Sequence, residues 1–200
     1  MIESIDALRA VYGDAKARSV KKQIDHLDVH CRRFIALSPF LVVASADSGG
    51  HLDASPRGGR PGFVRVADAH TLLIPDSPGN NRLDTLTNII ATGSVGLLFI
   101  IPGVDETLRV NGRARLNDDP SILASFADEK RMPKLVIEIT VSDAYLHCAK
   151  AFMRSQLWSP ASVVDRAALP TMGEMLSDQT GMPGVPETQA EMRARYAVDL

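Results

Sequence analysis

Cysteine is scarce in this sequence. Cys31 and Cys148 are the only two in 200 residues, and nothing in their separation fits a metal-ligand pattern. A disulfide-rich scaffold is thereby excluded. Each cysteine is expected as a small, unbridged, apolar-like side chain in a reducing compartment, a bridge between the two being the minor alternative. A surplus of one charge is missing too. The 22 Lys and Arg nearly balance the 24 Asp and Glu, leaving a net charge of −2. No global basic field is present to recruit nucleic acid or an anionic membrane. Apolar runs are far too short to span a bilayer. The opening Met-Ile-Glu-Ser-Ile-Asp carries acids where a signal peptide has a basic flank and an apolar stretch. The expected location is cytoplasmic.

Catalytic motifs are absent as well. There is no Walker-type glycine loop, no strand–GxGxxG–helix, no HExxH, no paired CxxC and no GxSxG. His26 and His30 stand four residues apart, but no third ligand joins them, so no metal site is expected. With no side-chain nucleophile beside a partner, chemistry at this chain would come from a bound cofactor.

What is present is a run of strands. The 45% hydrophobic content suits an ordinary globular core, and the length suits one domain with terminal extensions. Ile24, Leu27, Cys31, Phe34 and Ile35 keep helical spacing until Ser38-Pro39 stops them. Ile5, Leu8 and Tyr12 suggest a further short helix. Phe40 to Ala46 reads as a strand buried on both faces. After the Asp47–Gly50 turn, Leu52, Ala54 and Pro56 alternate with Asp53, Ser55 and Arg57, so Ser55 and Arg57 share a face. Phe63 to Val66 and His70 to Ile74 make a second strand pair, and Val95 to Ile101 another strand. From 106 to 116, Leu108, Val110, Ala114 and Leu116 face the core. Thr107, Arg109, Asn111, Arg113 and Arg115 face the other way, as a solvated face or as one awaiting an anion or a subunit. Asp119-Pro120 opens a short helix through Phe126, and Leu135 to Val141 is a last strand. Asp143 is expected to cap a helix carrying His147, Lys150 and Arg154 on one stripe and Leu146, Ala149, Met153 and Leu157 on the next. Trp158 follows, either packed on a flat ring or filling the core. The order is a meander of antiparallel strands, not a βαβ series.

One stretch organises the rest. Leu72-Leu73-Ile74-Pro75-Asp76 leads through Ser77-Pro78-Gly79 to Asn80-Asn81-Arg82-Leu83-Asp84. It reads as strand, turn and helix start, with Asn80 or Asn81 as the cap and Leu83, Leu86 and Ile90 on the buried face of a helix over 82–90. A helix start attracts anions, and Arg82 adds a forked donor, so a phosphate site is one reading and a capped surface helix the other.

Six segments in order resemble the FMN-binding split-barrel family related to pyridoxamine 5′-phosphate oxidase. They are Phe34–Phe40, Asp53–Gly58, Leu73–Asp84, Val95–Gly103, Thr107–Ala114 and His147–Trp158. The resemblance covers roughly residues 30 to 160. It implies a mainly β protein with flanking helices, a six-stranded antiparallel split β-barrel, dimerised with FMN at the interface of the two copies. The domains expected are an N-terminal helical segment packed on the barrel (1–37), the flavin-binding barrel (38–158) and a C-terminal arm (159–200), whose richness in Pro, Met, Gly and Asp reads as an extended stretch plus a short amphipathic end, as if to wrap a partner chain.

By similarity, Ser55, Pro56 and Arg57 line the flavin, Ile74 and Pro75 form a second cofactor strand, and Asn80, Asn81 and Arg82 grip the phosphate. Thr107 matches a position that reaches the flavin from the partner subunit. Lys150, Arg154 and Trp158 belong to the subgroup's signature. Gly59 departs from the acid that relatives often carry after Ser-Pro-Arg-Gly. The C-terminal Arg-x-His pattern of true pyridoxamine phosphate oxidases is not visible, so the vitamin B6 reaction is not supported. The implied activity is FMN-dependent oxidoreduction on an unassigned small molecule. The alternatives are a non-catalytic flavin carrier or sensor, and a barrel holding haem or deazaflavin, with His51 or His147 as the histidines a haem would need.

Overall fold

A computed structural model describes residues 1–198 of the chain. Seven strands form one antiparallel sheet: β1 (Phe40–Ala46), β2 (Leu52–Gly58), β3 (Arg65–Val66), β4 (Thr71–Pro75), β5 (Ser94–Ile100), β6 (Thr107–Asn117) and β7 (Val136–His147). The order is β2-β1-β5-β6-β7-β4-β3. The count exceeds the expected six by β3, a two-residue strand pairing Arg65 with Leu73 and Val66 with Leu72. β2 and β3 end the order without pairing to each other, so the barrel is split between them. Inside it, Leu41, Val43, Leu97, Phe99, Leu108 and Ile137 are sealed from solvent. Burying such branched and aromatic side chains stabilises each by about 1.5–3 kcal/mol.

The longest pairing joins β6 to β7 over eleven positions, from Thr107 opposite His147 to Asn117 opposite Val136. Its register shifts between Asn111 and Gly112. A Cβ at Gly112 would stand 2.3 Å from the Thr140 carbonyl oxygen, so only glycine lets the strands approach at this bulge.

This pairing overturns one expectation. Residues 143–147 extend β7 instead of opening a helix, and α6 begins later (Lys150–Ser155). Asp143 is therefore no cap, and His147 does not share a helical stripe with Lys150 and Arg154. Leu146, Met153 and Leu157 are all exposed, so the apolar stripe drawn through them does not form either. A ladder of cross-strand hydrogen bonds outweighs local helix propensity.

The helices flank the sheet. α3 (Val29–Leu37) starts where the Asp28 carboxylate accepts from the Cys31 amide at 2.8 Å, and buries Cys31 and Ile35. It stops at Ser38, before Pro39. The Ser38 hydroxyl lies 2.7 Å from the Phe40 carbonyl and 2.8 Å from that of Ile100, pinning the helix end to β1 and β5. Ile24 is not on this helix; it makes an antiparallel bridge to Ala144. α1 (Ile5–Tyr12) and α2 (Ala17–Lys21) bury none of their side chains.

α4 (Asp84–Thr92) ends at Gly93, whose φ is 65°, a left-handed conformation that glycine adopts without strain. Its buried side chains are Thr85, Leu86, Asn88 and Ile89. The expected face of Leu83, Leu86 and Ile90 is corrected, since Leu83 and Ile90 are exposed. α5 (Pro120–Ala124) follows the Asp119 cap. The region after Trp158 carries two α-helices. α7 (Met172–Thr180) and α8 (Gln189–Ala197) each open with a complete capping box, Thr171 with Glu174 and Thr188 with Glu191. The last two residues of that expected arm, 199–200, lie outside the described residues. Among the described residues no helix is long and apolar enough to cross a membrane.

Candidate functional site

β2 is an edge strand, where a proline costs no ladder hydrogen bond, and Pro56 sits there opposite Val42. Ser55 pairs with Val43 and Arg57 with Leu41. Cross-strand partners share a face, so Ser55 and Arg57 lie on the core side with those sealed side chains. The opposite, solvent face of β2 is the apolar one, with Leu52 87% exposed. Arg57 donates from Nη1 to the Ser55 hydroxyl at 2.7 Å and to the Pro56 carbonyl at 3.1 Å. Its Nε is buried without a hydrogen-bond partner.

Across the split stands Asp76, which the sequence reading passed over. Burial pushes its carboxyl above the usual carboxylate range, and the charges of Arg57 and then Lys134 pull it partly back. Asp76 continues β4: Ile74 and Pro75 are buried opposite Ile137 and Val136, and the Asp76 amide donates to the Leu135 carbonyl at 3.0 Å. The charge of Arg57 thus reaches the residue that follows Ile74 and Pro75.

The loop that follows departs from the expected cap. Neither asparagine caps α4. The cap position is Leu83, in a left-handed conformation with φ 62° and no side-chain cap bond. Asn81 is also left-handed, at φ 58°. Asn80 spends its side-chain oxygen on the Arg82 amide at 3.0 Å, an Asx turn placed too early to reach the helix. Arg82 is exposed and donates from Nε to Asp84 at 2.5 Å. The start of α4 is fastened to β2, because the Thr85 hydroxyl donates to Asp53 at 2.6 Å. Asn88 donates to the Ser45 hydroxyl at 3.1 Å, and Ser45 stands 3.5 Å from Asp53.

The remaining predicted residues lie elsewhere. Thr107 is only 3% exposed, opposite His147. The three arginines of β6 each have a protein partner: Arg109 donates to the Tyr145 hydroxyl at 2.9 Å, Arg113 to the Ser94 hydroxyl at 2.9 Å and Arg115 to Glu138 at 2.7 Å. Lys150 and Arg154 are exposed on α6, where Arg154 donates to the Lys150 carbonyl at 3.1 Å. Trp158 is half-buried, donates from Nε1 to the Val104 carbonyl at 3.0 Å and packs 5.7 Å from the Phe152 ring. Within one chain the predicted residues are spread over several elements: Ser55, Pro56 and Arg57 on β2, Ile74 and Pro75 on β4, Asn80, Asn81 and Arg82 in the loop before α4, Thr107 on β6, and Lys150, Arg154 and Trp158 in and just after α6.

A cleft of about 470 Å³ runs along the end of α4, lined by Ile89–Gly93 and Arg113–Leu116. It holds none of the predicted cofactor residues. Cys31 and Cys148 are both unbridged thiols. Among the described residues no group of three or more His, Cys, Asp or Glu side chains is placed to hold a metal.

Comparison with known proteins agrees with this architecture. Two crystal structures of HupZ from Group A Streptococcus, one of them a single-residue variant, align at 18% identity with TM-scores of 0.50 and 0.51. Each covers 60% of this chain and more than nine-tenths of its own. The FAD binding protein from Mycobacterium smegmatis aligns at 13% identity and TM-score 0.44, over 62% of this chain and 97% of its own. No curated protein sequence matches. The family model described as Pyridoxamine 5′-phosphate oxidase matches residues 27–148, from just before α3 to the end of β7. With that match over more than half its length, the chain belongs to the pyridoxamine 5′-phosphate oxidase family.

Proposed function

We propose that the protein binds FMN between two copies of itself and works as a flavin-dependent oxidoreductase on a small molecule. The observation that carries this reading is Arg57: its guanidinium lies on the core side of an edge strand, against Ser55, with a buried Nε that no protein group accepts from. A buried donor without an acceptor costs roughly 1–3 kcal/mol, and an anionic or carbonyl-bearing cofactor removes that cost.

The residues present fit the group. Ser55, Pro56 and Arg57 would hold one side of the flavin, with Ile74 and Pro75 as an apolar wall. Arg82 would hold the phosphate with Asn80 and Asn81. Its bond to Asp84 is a surface ion pair contributing about 0–1 kcal/mol, so a phosphate can displace it. Thr107, Lys150, Arg154 and Trp158 would come from the second copy. The exposed apolar face of β2 supports that arrangement, because Leu52 at an unpaired edge has no protein cover within one chain. When bound, flavin supplies two-electron redox chemistry, while the protein binds, orients and shields it. We place the protein in the cytoplasm.

Heat-releasing the cofactor from purified protein and recording its spectrum and mass tests this directly. FMN with its two flavin bands is the expected result. A single intense Soret band would replace the reading with haem, and a deazaflavin mass with that cofactor. Oxidation of NADH or NADPH by the holoprotein separates an oxidoreductase from a carrier.

A further inference from the structure

Two cations face one aromatic ring on the outer side of β6 and β7. Arg109 stands opposite Tyr145, donates to its hydroxyl at 2.9 Å, and holds its guanidinium carbon 5.6 Å from the ring centroid. Lys22 arrives from another part of the chain. The Ile24–Ala144 bridge lays that segment along β7 beyond the end of β4. The Lys22 ammonium lies 5.4 Å from the same centroid and donates to the Leu146 carbonyl at 2.7 Å. His147 is two positions further on the same face, its ring centroid 6.4 Å from that of Tyr145. Its Nδ1 is buried without a hydrogen-bond partner.

The two cations have no carboxylate in direct contact among the described residues. Arg115, on the same strand, faces Glu138 directly across the β6–β7 ladder and pairs with it at 2.7 Å. At the equivalent place opposite Arg109 stands a phenol. Among the described residues neither Lys22 nor Arg109 pairs with a carboxylate. Asp143, two positions before Tyr145, is occupied by the Asn111 amide at 2.9 Å. The imidazole of His147 feels the imbalance: burial first, then Arg109 and Lys22, hold it below its ordinary value. Two cations drawn together on one ring, each with donors to spare, form a receptor for an oxyanion.

We propose that Lys22, Arg109, Tyr145 and His147 form a binding site for a small oxyanion, the phosphate or carboxylate group of a small molecule, on the outer face of β6 and β7. Lys22 and Arg109 supply the hydrogen bonds, Tyr145 positions both, and His147 gains a proton as the anion offsets the two charges. The proposal does not rest on the flavin reading, although Thr107, which that reading takes from the second copy, stands opposite His147.

The test follows the His147 ring resonances by NMR, assigned by their loss in His147→Gln, as pH is varied at constant ionic strength set with chloride. Inorganic phosphate is added in one series and acetate in another. A saturable upward movement of the His147 midpoint is expected. Lys22→Gln and Arg109→Gln should each raise the anion concentration required by about tenfold, while Arg115→Gln leaves it unchanged. Lys22 is exposed, so its variant keeps the fold. A shift with phosphate alone assigns a phosphate group, and an equal shift with acetate assigns a carboxylate. No saturable shift with either anion overturns the proposal, as does native-like affinity in both variants. So does loss of the shift on adding riboflavin, which carries no phosphate to compete; the cluster would then be part of the flavin site.

Discussion

Thr85 and Asp53 are joined by a hydroxyl-to-carboxylate hydrogen bond of 2.6 Å that fastens the first turn of α4 to the strand bearing Ser55 and Arg57. Thr85 is buried, as are Ser45 and Asn88 behind it. A sheet strand and a helix start that belong to separate sequence segments thereby become one rigid unit.

Thr85→Val keeps the shape and deletes the donor, leaving Asp53 short of a partner. We expect a loss of about 1–3 kcal/mol in urea unfolding, together with weaker flavin binding. An unchanged unfolding midpoint would mean that the helix is held by its apolar side chains alone.

Asp76 makes stability depend on acidity. Burial raises its carboxyl above the ordinary 3.8, against the opposing pull of Arg57 and Lys134. A proton held more tightly in the folded state than in the unfolded one means that stability falls as pH rises from the unfolded value through the raised folded value. Asp76→Asn removes that fall. The variant should melt higher than the native protein near neutrality, and the difference should close in acid below 3.8. An equal gain at both acidities would assign it to something other than this carboxyl.

The two thiols should differ in reactivity. Cys148 is exposed, whereas Cys31 is buried, and that burial, with Asp28 beside it, pushes its thiol up to about 11. A thiol reagent is expected to modify one cysteine quickly in the native protein and both after denaturation. Two fast thiols in the native state would show that Cys31 on α3 is not sealed against the core.

Much of the fold is legible in the chain because its signals are local. The alternation from Thr107 to Leu116 and the stop at Ser38-Pro39 each need only a few neighbouring residues. What was not legible depended on distant partners. Alternation told which residues of β2 share a face but not which face is buried, and it is Ser55 and Arg57, not Leu52, that turn to the core. The three arginines of β6 look unpaired in the sequence because Tyr145 and Glu138 are contributed by β7 and Ser94 by β5, and β7 itself reads short because its last five residues also suit a helix. The cap of α4 was missed for the opposite reason. Asn80 does form a side-chain turn, but with Arg82, three residues too early. Asp76 gave no sequence signal at all, since its burial exists only once β4 reaches the split of the barrel.

The central claim is that the Arg57–Arg82 region binds the phosphate of FMN, and one titration tests it most directly. Quenching of flavin fluorescence is followed as native protein and Arg82→Ala are added to FMN and, separately, to riboflavin, which lacks the phosphate. A charge-assisted hydrogen bond contributes roughly 1.5–3 kcal/mol. The variant should therefore bind FMN about ten- to a hundredfold more weakly than the native protein, while both bind riboflavin alike. If Arg82→Ala holds FMN as tightly as the native protein, the loop before α4 is only a surface turn and the phosphate lies elsewhere.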